Sequence, residues 1–235
     1  MYRHLLIKGW NQQKLDSTRV LLVGAGAIGS QTATTLARLG VSMVVVDSDI
    51  LEEHNIGNQA YSRKHLGMPK VKALKTIVRD IGDVEFKGVY SPVEDIDVLK
   101  YEFDMILGAI DSIGTRYYLN AVAVSTGKAY IDAGIEGYAG SVRTILPYMN
   151  SCMQCWPELN KEIKARPSCS QDPIPSVVMT ASHAANLQVM QMLNILFGKK
   201  INDFTAFNLA SGTSSVFNLS KNRECELCGT THLKE

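Results

Sequence analysis

The sequence has almost no excess of charge of either sign, with 24 lysine and arginine residues against 23 aspartate and glutamate residues. This balance does not predict binding to nucleic acid or to an anionic membrane, since both attract strongly basic surfaces. The sequence also lacks a run of about 18 apolar residues, the length that a membrane-spanning helix needs. Its first residues contain no apolar signal-peptide core. We therefore expect a soluble cytoplasmic protein without a membrane or nucleic-acid partner.

Cysteine is scarce, with five residues among 235. In a reducing cytoplasm, cysteines serve metal binding or catalysis more often than disulfides. Four of the five form two C-x-x-C pairs, and each pair can bind one side of a tetrahedral ion. Together they satisfy zinc, so we expect a structural Zn²⁺ that joins distant strands; redox pairs or buried thiols are the alternative. The predicted metal ligands are Cys152, Cys155, Cys225 and Cys228.

Apolar runs and amphipathic segments alternate through the first 140 residues. The pattern predicts strands at 20–23, 43–46, 84–89, 104–108 and 129–132, and helices over 30–39, from Pro69 onward and over about 115–125. Such alternation is typical of an α/β fold with a Rossmann-like, doubly wound, mostly parallel sheet. After Gly140 we expect a strand at 141–146, a polar stretch, a long helix, and an antiparallel pair at 203–208 and 214–219. The expected fold is therefore one parallel sheet with an antiparallel extension and a four-cysteine zinc knuckle.

A glycine-rich loop joins the first predicted strand to the first predicted helix. Its sequence, Gly24-Ala-Gly-Ala-Ile-Gly29, is a G-x-G-x-x-G motif in the position that nucleotide-binding sheets require. Glycines permit a tight turn and a close approach of phosphates to backbone N–H groups. Asp47 closes the next strand about 20 residues on, where a carboxylate can bind ribose hydroxyls. The motif alone does not distinguish NAD, FAD and ATP.

The residues after the second strand favour a triphosphate over a nicotinamide cofactor. A dehydrogenase needs a further region that presents a substrate and an acid or base, whereas this chain is nearly filled by one sheet and a cysteine-bearing tail. Asp49 and Asn55 lie in the loop after the strand, and Lys70 lies at a helix start, where an ammonium can meet a phosphate. Asp111 follows a strand at the edge where such sheets bind ligands, and a carboxylate there can hold Mg²⁺. Taken singly, each of these residues is more often a solvated loop residue, so it is their joint order along the chain that indicates a triphosphate site.

In this order, these residues resemble the MoeB, ThiF and ubiquitin-activating (HesA/MoeB/ThiF) superfamily of adenylating enzymes over nearly the whole chain. The resemblance is carried by Arg3 with Gly9 and Gln13, Gly24 to Gly29, Asp47 to Asp49, Asn55 and Gln59, Gly67 to Lys70, Asp111 with Arg116, and both cysteine pairs. It implies a single ThiF-type adenylation domain over residues 1–235. Residues 1–140 would bind the nucleotide, and residues 141–235 would carry the zinc site and the dimer or partner contacts.

The resemblance also implies an activity and a role for each residue. ATP and Mg²⁺ would bind at the glycine loop, and the enzyme would adenylate the C-terminal glycine of a ubiquitin-like or sulfur-carrier protein ending in Gly-Gly. It implies a homodimer in which Arg3 of one subunit reaches the nucleotide of the other. The implied nucleotide-binding residues are Gly24, Gly26, Ala27, Gly29, Asp47, Asp49, Asn55, Asn58, Lys70, Asp111 and Ser112. The implied catalytic residues are Arg3, Lys70, Asp111 and Cys169.

Three positions depart from the pattern of the resembled family. Ala27 replaces a glycine that touches the nucleotide, and Ser112 replaces an asparagine beside Asp111. Asn58 stands where most members have an arginine that stabilises the leaving pyrophosphate, and asparagine supplies no charge. Arg63 is a nearby candidate to replace that arginine. Without such a replacement, we expect low activity or dependence on a partner.

The fifth cysteine, Cys169, lies in a proline-rich polar stretch beside Arg166, which can favour its thiolate. Members of the resembled family often carry a reactive cysteine in the corresponding loop, which implies a thioester here after adenylation; an inert loop cysteine is the alternative. Two other functions remain open for the chain. One is adenylation of a tRNA base or a peptide, and the other is a non-catalytic nucleotide-binding scaffold, which Asn58 favours.

Overall fold

The computed structural model describes residues 3–156 and 175–229. Its eight strands form one sheet in the order β3-β2-β1-β4-β5-β6-β7-β8. The strands are β1 Arg19–Val23, β2 Ser42–Asp47, β3 Phe86–Tyr90, β4 Met105–Gly108, β5 Ala129–Glu136, β6 Ala139–Ile145, β7 Phe204–Asn208 and β8 Thr213–Phe217. Pairs among β1 to β5 are parallel, and β6, β7 and β8 continue the sheet in antiparallel pairs. The predicted parallel sheet with an antiparallel extension is confirmed.

Helices cover both faces of the parallel part of the sheet. They are α1 Gln12–Asp16, α2 Ala27–Leu39, α3 Lys70–Ile81, α4 Ile113–Thr126 and α5 Val178–Leu196. Buried residues of α2, α3 and α5 pack on one face of β1 and β2, and α4 packs on the other face together with the four paired cysteines. Because β1 and β2 are buried on both faces, they read as continuous apolar runs in the sequence.

Several element boundaries differ from the predicted ones for local reasons. The helix predicted from Pro69 begins one residue later, because an isolated bridge to Ile50 holds Pro69 in an extended conformation. Helix α2 begins at Ala27, so the second half of the glycine motif is already helical. Strand β5 runs four residues past its predicted end because it pairs with β6 through a turn at Gly137, whose φ is +56°.

Membrane-crossing segments were not expected from the sequence. Among the helices of the described residues, none combines the length with the apolar character that crossing a bilayer would require.

Candidate active site and cysteine cluster

The glycine loop between β1 and α2 folds closely onto itself and onto the end of β4. A Cβ atom at Gly24 would lie 2.2 Å from the Ala109 carbonyl oxygen, and one at Gly29 would lie 1.9 Å from the Gly24 carbonyl oxygen. At Gly26, by contrast, a Cβ atom would meet no described atom within 4 Å. The first and last glycines are therefore required for packing, while the middle glycine leaves open space beside the loop. A ligand can approach the backbone on that side.

Two side chains hold the backbone of Ala25 in the glycine loop from both sides, one at its N–H group and one at its carbonyl oxygen. The Asp47 carboxylate accepts hydrogen bonds from the backbone N–H groups of Ala25 at 2.6 Å and Asp49 at 2.8 Å. The Tyr61 hydroxyl donates to the Ala25 carbonyl oxygen at 2.7 Å. Burial raises the pKa of the Asp47 carboxyl above its ordinary value, although both N–H donors act in the opposite direction. Asp47 thus shapes the loop, and its remaining lone pairs can still accept ribose hydroxyls.

Replacing Asp47 with asparagine is expected to weaken nucleotide binding about tenfold and to lower stability by about 1–3 kcal/mol. An asparagine amide can accept only one of the two N–H bonds and turns its NH₂ group toward the other donor. Calorimetry with ATP and thermal unfolding measure the two effects. Asp97→Asn is the matched control, because Asp97 accepts one exposed N–H bond from Leu99. Equal behaviour of the two variants would contradict the loop-shaping role.

Lys70 and Asp49 form an ion pair that their separation in the sequence did not reveal. The Lys70 ammonium lies 2.7 Å from Asp49 Oδ2, and the Lys70 backbone N–H donates to the Asp49 carbonyl oxygen at 2.9 Å. The Lys70 side chain is 7% exposed and that of Asp49 is 62% exposed. Asp49 therefore presents the lysine at the edge of the site. A phosphate that binds Lys70 has to share the ammonium with this carboxylate.

The loop that follows is anchored by asparagine side chains. Asn55 is buried, and its Oδ1 atom accepts the backbone N–H of Glu52 at 2.9 Å, which closes a short helical turn. Asn58 donates from Nδ2 to the Ser176 hydroxyl at 2.7 Å. Within the described residues, Asn58 Oδ1 and Gln59 Oε1 are buried without a hydrogen-bond partner.

The predicted substitute for the missing arginine lies on the surface. The Arg63 side chain is 80% exposed and pairs with Glu53 at 2.9 Å. Arg3 is exposed in a short 3-10 segment, Arg3–Leu6. Cys169 and Arg166 lie outside the described residues, so their predicted roles stay predictions.

Asp111 and Ser112 follow β4 at the carboxyl edge of the sheet, directly after Ala109 and Ile110, which pack against Gly24 of the glycine loop. Both are exposed, and the Ser112 hydroxyl accepts the Thr115 backbone N–H at 3.3 Å, capping α4. The Arg116 guanidinium donates to the Ile110 carbonyl oxygen and pairs with Asp132. An exposed carboxylate thus lies two residues after Ala109, the residue at the end of β4 that packs against the glycine loop.

Three of the residues that shape this site were not singled out from the sequence. Tyr61 is a large aromatic residue in the loop between β2 and α3, which is a signal for a buried anchor. Asp132 ends the strand predicted at 129–132, in the same strand-end position that drew attention to Asp47 and Asp111. Ser176 carries no comparable signal, because its contact with Asn58 spans 118 residues.

The four paired cysteines converge in one buried cluster, as predicted. Their sulfur atoms all lie within 4.8 Å of one another, with distances of 3.7 Å between Cys152 and Cys225 and 3.4 Å between Cys155 and Cys228. Four sulfurs around a tetrahedral zinc at about 2.3 Å would stand about 3.8 Å apart. Burial raises the pKa of the Cys152 thiol to about 11, so a cation is needed to hold it as a thiolate. The cluster has the composition and spacing of a metal site.

Hydrogen bonds between side chains and backbone atoms connect this cluster to the rest of the fold. The Met153 N–H donates to Asn120 of α4 at 3.0 Å, and the Arg143 guanidinium donates to the Cys152 carbonyl oxygen at 2.9 Å. A Cβ atom at Gly229 would lie 2.4 Å from the Cys225 carbonyl oxygen, so the second pair needs glycine for its turn. The cluster joins the segment after β6 to the segment after β8 on the α4 face of the sheet.

Comparisons with known proteins agree with this architecture. The chain is 32% identical over 157 residues to the NEDD8-activating enzyme E1 catalytic subunit of Arabidopsis thaliana, covering 60% of this chain and 35% of that protein. It is 26% identical over 236 residues to the vegetative protein HesA of Trichormus variabilis, covering 97% of this chain and 88% of that protein. The crystal structure of E. coli MccB with MccA-N7isoASN superimposes with a TM-score of 0.82 at 19% identity, covering 93% of this chain and 69% of that one, which shows a shared fold.

The chain spans only about a third of the length of the Arabidopsis enzyme. A family model nevertheless covers almost all of it, matching residues 3–227. With the glycine loop, the carboxylates at the strand ends and the cysteine cluster in place, the chain belongs to the ThiF family.

Proposed function

We propose that the chain binds ATP with Mg²⁺ and adenylates the C-terminal glycine carboxylate of a small ubiquitin-like or sulfur-carrier protein. The observation that carries this proposal is that an open stretch of backbone and an exposed carboxylate lie at the same carboxyl edge of the sheet. The open backbone at Gly26 lies on a loop that packs against Ala109, and the exposed Asp111 carboxylate follows two residues later. Relatives named as activating enzymes support the choice of reaction.

The residues of the site fit this ligand. The N–H groups of the glycine loop can bind phosphate oxygens at the start of α2, and Asp47 can accept ribose hydroxyls. When bound, Mg²⁺ supplies positive charge to the phosphates, and Asp111 is the carboxylate placed to hold it. The ammonium of Lys70 offers a second positive charge, which Asp49 orients.

The reaction is acyl adenylation. A carboxylate oxygen of the flexible Gly-Gly tail attacks the α-phosphorus of ATP, and the bond from that phosphorus to the bridging oxygen breaks. Pyrophosphate leaves, and the tail becomes a mixed anhydride with AMP. Lys70 stabilises charge that spreads over the phosphates, and Arg3 of a second subunit adds to this in a homodimer. Asn58 gives no charge, so the step is expected to be slow compared with an arginine-bearing site.

The cysteine cluster is proposed to bind one structural Zn²⁺. Four sulfur ligands fill a tetrahedral coordination shell, so the ion has no free position for a substrate. Its role is to hold the segments after β6 and β8 together. We place these segments in the part of the domain, residues 141–235, that contacts the protein partner, and we place the nucleotide in residues 1–140.

A mass-spectrometric assay tests the function. The enzyme is incubated with Mg²⁺, ATP and each small Gly-Gly-ending protein of the source cell, and the partner is examined for an AMP adduct at its C-terminus. A partner that lacks its last glycine is the control. Adducts on peptides or a tRNA base alone would replace the proposed substrate, and nucleotide binding without any adduct would favour a scaffold.

The fifth cysteine gives a separate prediction. If the Cys169 thiol receives the acyl group, enzyme, ATP and partner form a covalent species that thiol reductants destroy, and AMP leaves. Cys169→Ala is then expected to abolish this species but retain ATP–pyrophosphate exchange, because adenylation precedes attack by the thiol. Non-reducing electrophoresis and the exchange assay measure the two steps. Normal product formation by Cys169→Ala in the complete pathway would show that the thiol is incidental.

A further inference from the structure

A buried hydrogen-bonded chain supports the turn that carries Asp111. The Arg116 guanidinium donates to the Ile110 carbonyl oxygen from Nε at 3.0 Å and from Nη2 at 2.8 Å. Ile110 directly precedes Asp111, so two hydrogen bonds to one carbonyl oxygen restrict rotation of the peptide that leads into the exposed carboxylate. The Arg116 side chain itself is only 13% exposed. The position of Asp111 therefore depends on where this guanidinium is held.

Asp132 of β5 binds the guanidinium at Nη1, the nitrogen that does not contact the Ile110 carbonyl oxygen. Its Oδ2 atom lies 2.6 Å from Arg116 Nη1, and its Oδ1 atom accepts a hydrogen bond from the Tyr130 hydroxyl at 2.9 Å. The Asp132 side chain is 5% exposed, and Tyr130 is fully buried. Because both oxygens of the carboxylate are engaged, Asp132 has one defined orientation. Through Arg116, Asp132 thus links the central strand β5 to the turn after β4 and restricts the motion of that turn.

Two glycines leave the room that this arrangement needs. A Cβ atom at Gly134 would lie 2.8 Å from Arg116 Nη2. A Cβ atom at Gly108 would lie 2.8 Å from the Tyr130 ring and hydroxyl, and 3.1 Å from Asp132 Oδ1. Any larger residue at either position would push the guanidinium or the tyrosine out of place. The local sequence is thus adapted to this network.

The charges in the network also compete for Arg116. The guanidinium interacts electrostatically with Asp111 as well as with Asp132, and the stronger attraction is to Asp132. Without the Asp132 charge, Asp111 would be the carboxylate that remains to attract the guanidinium. A carboxylate neutralised in this way is a poorer ligand for a divalent cation. Asp132 therefore affects Asp111 in two ways: it fixes the Arg116 that binds the preceding carbonyl oxygen, and it takes up the positive charge that Arg116 would otherwise share with Asp111.

We propose that Asp132, oriented by Tyr130, is a positioning residue that acts through Arg116 to keep the Asp111 carboxylate placed and available for nucleotide-bound Mg²⁺. This inference rests on the proposed function, in which Asp111 meets the cation. It assigns a role to two buried side chains, Asp132 and Tyr130, that the proposed nucleotide-binding residues do not include. The role is specific, because it concerns the apparent affinity for Mg²⁺ and not the overall stability of the fold.

The test measures how binding of a non-hydrolysable ATP analogue depends on Mg²⁺, using calorimetry on the full chain. Asp132→Asn is expected to raise the half-saturating Mg²⁺ concentration about three- to tenfold, and Tyr130→Phe about twofold. Affinity for the analogue should return to the wild-type value at saturating Mg²⁺. Thr18→Val is the matched control, because it removes a hydrogen bond from a buried hydroxyl to the Lys14 carbonyl oxygen. Thr18 directly precedes β1, at the amino ends of the parallel strands and therefore on the side of the sheet opposite to Asp111.

An unchanged Mg²⁺ dependence in both variants, with melting temperatures lowered as in Thr18→Val, would overturn the inference and leave a structural role alone. If Asp132→Asn does not fold, the Mg²⁺ dependence of Tyr130→Phe is compared with that of Thr18→Val, and an unchanged dependence again overturns the inference. If the wild type binds no nucleotide, the proposed function fails instead. Amide hydrogen exchange of residues 109–112 then tests the positioning contact directly: faster exchange in Tyr130→Phe than in Thr18→Val supports it, and equal exchange overturns it.

Discussion

Replacing Cys228 with serine is expected to lower the free energy of unfolding by about 5 kcal/mol or more, which is about 10 °C or more in melting temperature for a chain of this size. Cys228 is 1% exposed, and its sulfur lies 3.4 Å from that of Cys155. A serine hydroxyl binds zinc poorly and leaves three buried thiols around a weakly held ion. Thermal unfolding and elemental analysis of protein purified without added metal measure the effect.

The matched control for this prediction is Cys169→Ser, which removes the cysteine outside the two pairs. It should retain one zinc ion per chain and the wild-type melting temperature. A chelator should destabilise the wild type about as much as the Cys228 substitution does. Protein that contains no metal, with all four paired thiols titrating freely, would contradict the zinc proposal.

Replacing Asp111 with alanine is expected to reduce ATP–pyrophosphate exchange about a thousandfold, equivalent to about 4 kcal/mol of transition-state stabilisation. The carboxylate is the one placed beside the glycine loop to hold Mg²⁺, and alanine offers no oxygen in its place. Because Asp111 is exposed, the melting temperature should change little.

Asp83→Ala is the matched control for this loss of activity. Asp83 is also exposed, but it precedes β3 and so lies at the amino ends of the parallel strands, whereas Asp111 lies at their carboxyl ends. The same change in charge should therefore leave exchange unaffected. Equal activity of the two variants would show that Asp111 does not hold the metal. A large drop in melting temperature for Asp111→Ala would instead indicate a structural role.

Much of the fold was predictable because its signals are local. The buried strands β1 and β2 are unbroken apolar runs, and the glycine motif lies between a strand and a helix, so a few neighbouring residues were enough. The cysteine cluster was predictable for another reason, since two C-x-x-C pairs have one common explanation in a tetrahedral ion. Boundaries were less accurate where a distant contact decided them, as with the bridge that keeps Pro69 extended.

The contacts within the site could not be predicted in the same way. The pairing of Lys70 with Asp49 spans 21 residues, and the bond from Asn58 to Ser176 spans 118. Neither follows from spacing, because each depends on how loops pack at one edge of the sheet. The sequence identified which residue types gather there, and the structure shows which of them are already engaged with one another.

ATP–pyrophosphate exchange with the full chain, Mg²⁺ and Gly-Gly-ending partner proteins measures the adenylation step itself. Adenylation is reversible, so radiolabelled pyrophosphate should enter ATP only when a partner with a free C-terminal glycine carboxylate is present. Removing that glycine should abolish the signal. Exchange absent with every such partner, together with tight binding of NAD and none of ATP in calorimetry, would show that the chain is not an adenylating enzyme of such partners.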